Sequence, residues 1–362
     1  MAAAEHSQAK FRHLPMLAAL AALVALGSVC GESLASRPRP PLEHNPAIAR
    51  PDEQIAEATP SVAAAVTTPN PPATLTLIGV GDMMLARTIG QRIVAVGPQV
   101  VFDERMMETL RGADLTVGNL ETAVSERGEA QAKRYTFRAP PAALDALELA
   151  GFDAVSLANN HSLDFGVDGL LDAGRLLSIR GIAAVGAGAN IATAVEPKVL
   201  VRAGLRVAFV GLVDVGEEGP GFSRGTWEAT AGRPGVAWAD LATVRASVKN
   251  AAADADIVVV MLHFGTEFET EPSLAQRELA RAAIDAGALL VIGSHPHVLQ
   301  EVEEYGGGLI AYSLGNFVFD GFDGRSNDSA LLRVTMGRGG VQSWELIPVA
   351  IVDNGFPRLA RP

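Results

Sequence analysis

Four histidines stand directly after short apolar runs, each close to carboxylates or amides. The segments are Ala158-Asn159-Asn160-His161-Ser162-Leu163-Asp164, His263-Phe264-Gly265-Thr266-Glu267 and Gly293-Ser294-His295-Pro296-His297. Two further runs end on oxygen donors, at Gly81-Asp82 and at Gly118-Asn119-Leu120-Glu121. Imidazole, carboxylate and amide donors form a borderline-to-hard set that suits Mn, Fe, Zn or Mg rather than a soft metal. In extended chain, residues i and i+2 project to one side, so His295 and His297 can face one ion while Pro296 stiffens the spacer. A lone histidine is more often a core residue than a ligand. Here, however, the other three of the seven (His6, His13, His44) precede residue 74, so every histidine of the later chain belongs to the pattern. Plainer roles stay open at two places. Asp82 also reads as a helix N-cap for the segment after it, and Asn159 and Asp164 as caps of a helix from Val167.

Such donors need a scaffold that brings strand ends together. Val, Ile and Leu runs at 75–80, 114–117, 154–157, 182–185, 206–211, 256–262 and 289–292 predict strands. They alternate with helical patterns at 102–111, 142–150, 167–180, 239–253 and 273–286. That is the order of an α/β domain. Runs at 299–304, 309–312, 330–335 and 341–349, separated by Gly-rich or polar turns, predict antiparallel hairpins, so the sheets are expected to be mixed. No internal repeat and no second domain boundary is visible after residue 74.

The chain has 362 residues, a formal net charge of −12 and one cysteine. One cysteine allows neither an internal disulfide nor a thiolate zinc cluster. An acidic chain without a basic run argues against nucleic acid as a partner, because that binding needs clustered Lys and Arg to displace phosphate counterions. Residues 14–29 carry no charge and follow Lys10 and Arg12, as in an export signal, and Ser33-Leu34-Ala35 offers a cleavage site. Residues 1–35 therefore read as a signal peptide or membrane anchor, with Cys30 as a possible lipid-attachment point. Nine of the 21 prolines fall within 36–73, which reads as a disordered spacer. Residues 74–362 form the folded domain, expected outside the cytoplasmic membrane, anchored or secreted.

The motifs GDMMLAR (81–87), GNLE (118–121), YTFRAP (135–140), ANNHSLDFG (158–166), HFGTEFE (263–269), GSHPHVLQ (293–300) and YSLGNFVFD (312–320) occur in consistent order. Over about residues 74–350 the chain resembles the CapA-type poly-gamma-glutamate capsule biosynthesis proteins, a branch similar to the calcineurin-like metallophosphoesterases. The resemblance implies a four-layer αββα sandwich of mixed sheets, metallo-dependent phosphatase-like, with one or two divalent metal ions at the sheet edges. It implies Asp82, Asn119, Glu121, Asn160, His263, His295 and His297 as metal ligands and His161 as the acid near the leaving group. Asp164 and Glu267 are expected to orient imidazoles. Arg138 is a candidate for gripping a carboxylate or phosphate, and Asn316 and Asp320 for closing the site. The sequence departs from the phosphoesterase pattern at Met84, where Asp-x-His would place a histidine, and at Asn119, where an aspartate would bridge.

Three functions follow as expectations. One is an exported protein of poly-gamma-glutamate synthesis or export that works on an anionic polymer beside a membrane synthase complex, with a hydrolase or transferase site. The second is a secreted metallophosphoesterase acting on a small phosphoester, and the third is a non-catalytic, metal-stabilised assembly factor.

Overall fold

A computed structural model describes residues 73–217 and 221–360. The expected signal and all of the expected spacer except Ala73 lie outside the described residues. Among these residues, no helix is long and apolar enough to cross a membrane.

Two sheets dominate. The first contains β1 (Thr74–Met83), β2 (Leu115–Leu120), β3 (Ala154–Ser156) and β4 (Ala183–Val185). The second contains β5 (Lys198–Arg202), β6 (Leu205–Asp214), β7 (Ile257–Phe264), β8 (Leu290–Ser294), β9 (Val302–Tyr305) and β10 (Gly308–Ala311). The chain then returns to the first sheet with β11 (Asn316–Val318), β12 (Asp328–Gly337), β13 (Gly340–Val352) and β14 (Phe356–Leu359). The first sheet has the order β14-β13-β12-β1-β2-β3-β4 with β11 also beside β1, and the second the order β9-β10-β8-β7-β6-β5. β1 to β4 run parallel to one another, as do β6, β7, β8 and β10. β12, β13 and β14 are antiparallel, the mixed character expected.

Side-chain alternation builds the layers. In β6, Val207 and Phe209 enter the core between the sheets, while Ala208, Val210 and Leu212 face outward. In β7, Ile257, Val259 and Met261 face inward and Val258, Val260 and Leu262 outward. On β1, Leu75 and Leu77 face the other sheet, and Ile78 and Val80 face helices. The outer face of the first sheet is covered by α1 (Arg87–Val96), α2 (Glu104–Arg111), α3 (Ala143–Ala150) and α4 (Gly166–Ile179). That of the second is covered by α5 (Leu241–Ala252) and α6 (Leu274–Asp285). The architecture is the four-layer αββα sandwich. Strands buried on both faces need apolar residues at every position, which is why they read as continuous Val/Ile/Leu runs.

Sequence patterning missed α1, whose N-cap, Ala86, makes no side-chain bond. The cap comes from 232 residues away: Asp320 Oδ2 accepts the Thr88 N–H at 3.0 Å. Asp82 is therefore no N-cap; β1 extends through it. Nor do Asn159 and Asp164 cap α4, whose N-cap is Phe165. Gly315-Asn316 leads into β11, which pairs Asn316 with Asp82. Two glycines make that crossing possible. A Cβ on Gly81 would lie 1.9 Å from the Gly315 carbonyl oxygen, and one on Gly293 would lie 2.0 Å from that of Tyr312.

Candidate metal centre

The carboxyl ends of β1, β2, β7 and β8 converge, so donors distant in sequence become neighbours. One donor atom each from Asp82, Glu121 and His263 lies within 4.8 Å of the others, and all three residues are buried. Glu267, His295 and His297 form a second such group, in which only Glu267 is exposed. The groups adjoin: His297 Nδ1 is 3.4 Å from Asp82 Oδ2, His297 Nε2 is 3.8 Å from Glu121 Oε1, and the His295 N–H donates to Asp82 Oδ2 at 3.1 Å.

Hydrogen bonds orient the rings. His297 Nδ1 meets Asn316 Oδ1 at 2.8 Å, while Asn316 Nδ2 donates to the Ser326 carbonyl at 3.1 Å. The amide orientation is thereby set, Nδ1 carries the proton, and the Nε2 lone pair faces the cluster. Asn316 thus orients a histidine. His263 Nε2 lies 2.9 Å from Asn160 Oδ1, and its Nδ1 lies 3.1 Å from Asn119 Nδ2 and 3.0 Å from Ser294 Oγ.

Asn119 departs from its expected role. Asn159 Oδ1 accepts the His161 N–H at 3.0 Å, so Asn159 Nδ2 must point at Asn119 Oδ1, 3.1 Å away. Asn119 consequently turns its NH2 to the centre and donates to Asp82 Oδ1 at 2.7 Å. An amide nitrogen donor is no metal ligand; Asn119 holds Asp82 instead. Met84, at the position of the missing imidazole, is buried, and its sulfur accepts the Ala86 N–H.

His161 sits beside the cluster, with Nε2 3.9 Å from Glu121 Oε1. Its Nδ1 is 2.6 Å from Asp164 Oδ2, which also accepts the Phe137 N–H at 2.7 Å, and Phe137 stacks on the imidazole at 4.1 Å between centroids. Sequence reasoning missed Lys133. Its side chain is only 1% exposed, and its Nζ lies 3.0 Å from Asp164 Oδ1 and donates to the Asn160 carbonyl. The ammonium packs against the Trp227 and Phe222 rings, 4.8 and 5.3 Å from their centroids.

Burial would raise the Asp82 carboxyl, but the His297 hydrogen bond, the charges of His263 and His297 and the Asn119 amide outweigh it and hold Asp82 well below the usual carboxylate range. Burial pushes His263 down to about 3, against the pull of Asp82. It also holds His295 well below its ordinary value, with His263 and His297 adding repulsion. His297 goes the other way: burial opposes its charge, but Asp82, Glu267 and Asn316 raise it. The two depressed imidazoles are thus neutral at neutral pH, the form that ligates metal.

Above the cluster lies a cavity of about 330 Å³ reached by His161, Glu267 and His297, with Phe137, Phe319 and Phe322 among its walls and Arg87 and Arg134 at its margin. Arg138, the expected anion grip, is elsewhere. Its guanidinium donates to the Arg127 and Gly128 carbonyls and covers the Phe165 ring at 3.6 Å. Asp320 is likewise spent on α1 and on Arg87. Arg87 ends the GDMMLAR motif without a role assigned to it, and Arg134 lies just before YTFRAP.

His295 and His297 have φ of 99° and 57°. They reach the cluster through a left-handed turn after β8, not through the extended spacing expected. A residue other than glycine in this region carries strain that only surrounding structure maintains. Arg87 (47°) and Phe268 (67°), both lining the cavity, share it.

The donor set fits a divalent cation. It is all nitrogen and oxygen, it holds an ionised carboxylate beside two neutral imidazoles, and His295 Nδ1 is buried with no hydrogen-bond partner.

A sandwich of this architecture with imidazoles and carboxylates gathered at the strand ends defines a metallophosphatase-like α/β protein. Residues 76–321 match the family described as "Bacterial capsule synthesis protein PGA_cap". The chain belongs to that family. It is 35% identical over 276 residues to the PGA biosynthesis protein CapA of Bacillus subtilis, covering 75% of this chain and 70% of that one. It is 32% identical over 288 residues to the capsule biosynthesis protein CapA of Bacillus anthracis, covering 78% and 69%. A probable polyglutamine synthesis accessory protein of Mycobacterium tuberculosis is 32% identical over 254 residues, 66% of each chain.

Proposed function

We propose that the chain is an exported accessory protein of poly-gamma-glutamate capsule synthesis or export, with a metal-dependent hydrolase or transferase site working beside a membrane synthase complex. The relatives' names supply the polymer. The observation that carries the chemistry is the pair of adjoining donor groups, Asp82–Glu121–His263 and Glu267–His295–His297, opening into a cavity that His161 also lines. Asp82, Asn160, His263, His295 and His297 would hold divalent metal, with Glu121 facing the same space. A bound divalent cation supplies Lewis-acid polarisation and an acidified water. The rest falls to the chain. Asp164 fixes the His161 tautomer with Nε2 toward the cavity, so that an imidazolium there gives a proton to the leaving group. Asn119 and the His295 N–H keep Asp82 in place, and Asn316 keeps His297 turned inward. Phenyl rings wall the cavity, and Arg134 and Arg87 offer cationic side chains at its margin.

The test is elemental analysis of the purified full chain, with hydrolysis assays on poly-gamma-glutamate and on a generic phosphodiester. Expected are bound divalent metal and metal-dependent cleavage of the polymer. Cleavage of the phosphodiester alone favours a small phosphoester as substrate, for which the cavity's modest size also speaks. Metal with neither activity favours the assembly factor, and a metal-free chain overturns the proposal. Export is tested by partitioning tagged full-length chain between membrane, soluble and medium fractions; retention in the cytoplasm rejects it.

A further inference from the structure

Resting on the metal-dependent reading above, we propose that Glu267 is itself a metal ligand and completes, with His295 and His297, a second cation position in place of the imidazole that Met84 cannot supply. Three observations lead there. First, the Glu267 carboxylate stands with one nitrogen of each histidine inside a 4.8 Å group. His295 Nδ1 is buried and makes no hydrogen bond, so one imidazole donor in this group has no protein partner to satisfy it. Second, Glu267 is held by the segment that carries the two histidines. The Phe268 N–H donates to the carbonyl of Pro296, between them, at 2.8 Å, and Gln300 Nε2 donates to the Glu269 carbonyl at 2.8 Å. Gln276 fastens the base of the same loop through Gln300 Oε1. Third, no competing role occupies the carboxylate: none of the described hydrogen bonds or ion pairs engages it, and its field is felt by His297.

Two imidazoles and a carboxylate are a familiar set for Mn, Fe or Zn and leave coordination positions for substrate. Glu267 is the exposed member, beside the cavity, while Asp82, Glu121 and His263 are enclosed. The second position would therefore be the one in contact with substrate and the more readily emptied.

Metal stoichiometry tests this independently of catalysis. Full-length chain stripped by chelator is dialysed against Mn²⁺ or Zn²⁺ at a concentration that saturates the unaltered protein. Expected are two ions for the unaltered chain, one for Glu267→Gln, and two, the second bound more weakly, for Glu267→Asp. Co²⁺ titration adds a spectroscopic check: Glu267→Gln should remove the ligand-field bands of the second ion and leave those of the first. The proposal is overturned if the unaltered chain holds one ion, or if Glu267→Gln holds two with unchanged Co²⁺ bands. A chain that binds no ion defeats the metal-dependent function as well, whereas two ions with no hydrolysis leave the Glu267 assignment standing. Circular dichroism of Glu267→Gln guards against misfolding; Glu267 is exposed, and its replacement leaves the core intact.

Discussion

At the amino ends of the parallel strands, Asp114, Asp153 and Asp256 repeat one device. Each donates its own N–H to a neighbouring strand's carbonyl and accepts that residue's N–H on its side chain, pairing with Thr76, Thr116 and Arg206 in turn, with side-chain bonds of 2.7 to 2.8 Å. At the carboxyl ends Asp82, Glu121 and Asp164 are fully buried and face histidines. The residue types are alike; what differs is desolvation and company. A carboxylate that keeps some contact with solvent and closes a strand pair contributes a charged hydrogen bond's worth of stability. A buried one ringed by imidazoles is costly unless a cation or a protonated partner completes it.

The sharpest way to break this contrast is His297→Ala. It should lower metal-dependent turnover by about a thousandfold or more, several kcal/mol of lost polarisation, as measured by kcat/KM on whichever substrate is cleaved. Near-normal turnover would place the carboxyl-end cluster alongside the structural clasps. Acid separates the ends next. The folded pKa of His263 and of His295 lies below the unfolded value of about 6.5. Their contribution to stability is therefore present above pH 6.5 and lost as pH falls toward the folded values, since only the unfolded chain then takes up the proton. The raised His297 works in the opposite sense, contributing below its folded pKa and fading above it. With two histidines against one, denaturant midpoints of metal-free protein should fall between pH 6.5 and 5; a flat profile in that window contradicts it.

Lys133→Met comes third. Removing one partner of a buried ion pair should cost about 3 kcal/mol of stability and impair turnover beyond that loss, because the Asn160 carbonyl and Asp164 are released together. Turnover unchanged at saturating metal would show that the pair serves packing alone. Smallest is Asp153→Ala, at about 1 to 2 kcal/mol, with metal stoichiometry and turnover intact; a change in either would mean that the two ends are coupled.

Much of this was legible in the residues. Strands buried on both faces announce themselves as apolar runs, and glycine followed by polar donors marks their carboxyl ends, while the ligand set of Asp82, Asn119, Glu121, Asn160, His263, His295 and His297 came from the family resemblance. What could not be read depends on partners far along the chain. The direction of the Asn119 amide is set by Asn159, which is set in turn by the His161 main chain. The cap of α1 comes from Asp320. Arg138 is drawn away by two carbonyls that no spacing reveals, while Lys133, in an unremarkable polar stretch, is carried into the interior by the Trp227 and Phe222 rings. The left-handed turn at His295 and His297 was equally hidden, because the sequence offers neither glycine nor asparagine where φ becomes positive.

The donors gathered at the carboxyl ends span residues 82 to 297 and come from both sheets, with the Gly81–Gly315 crossing seated between them. No fragment of the chain can assemble them. An ion bound there is consequently linked to the whole fold: it binds the native state and not the unfolded chain, so it stabilises every layer of the sandwich at once by mass action. Chelation should then lower the single cooperative melting transition, and the melting temperature should rise with the logarithm of free metal concentration.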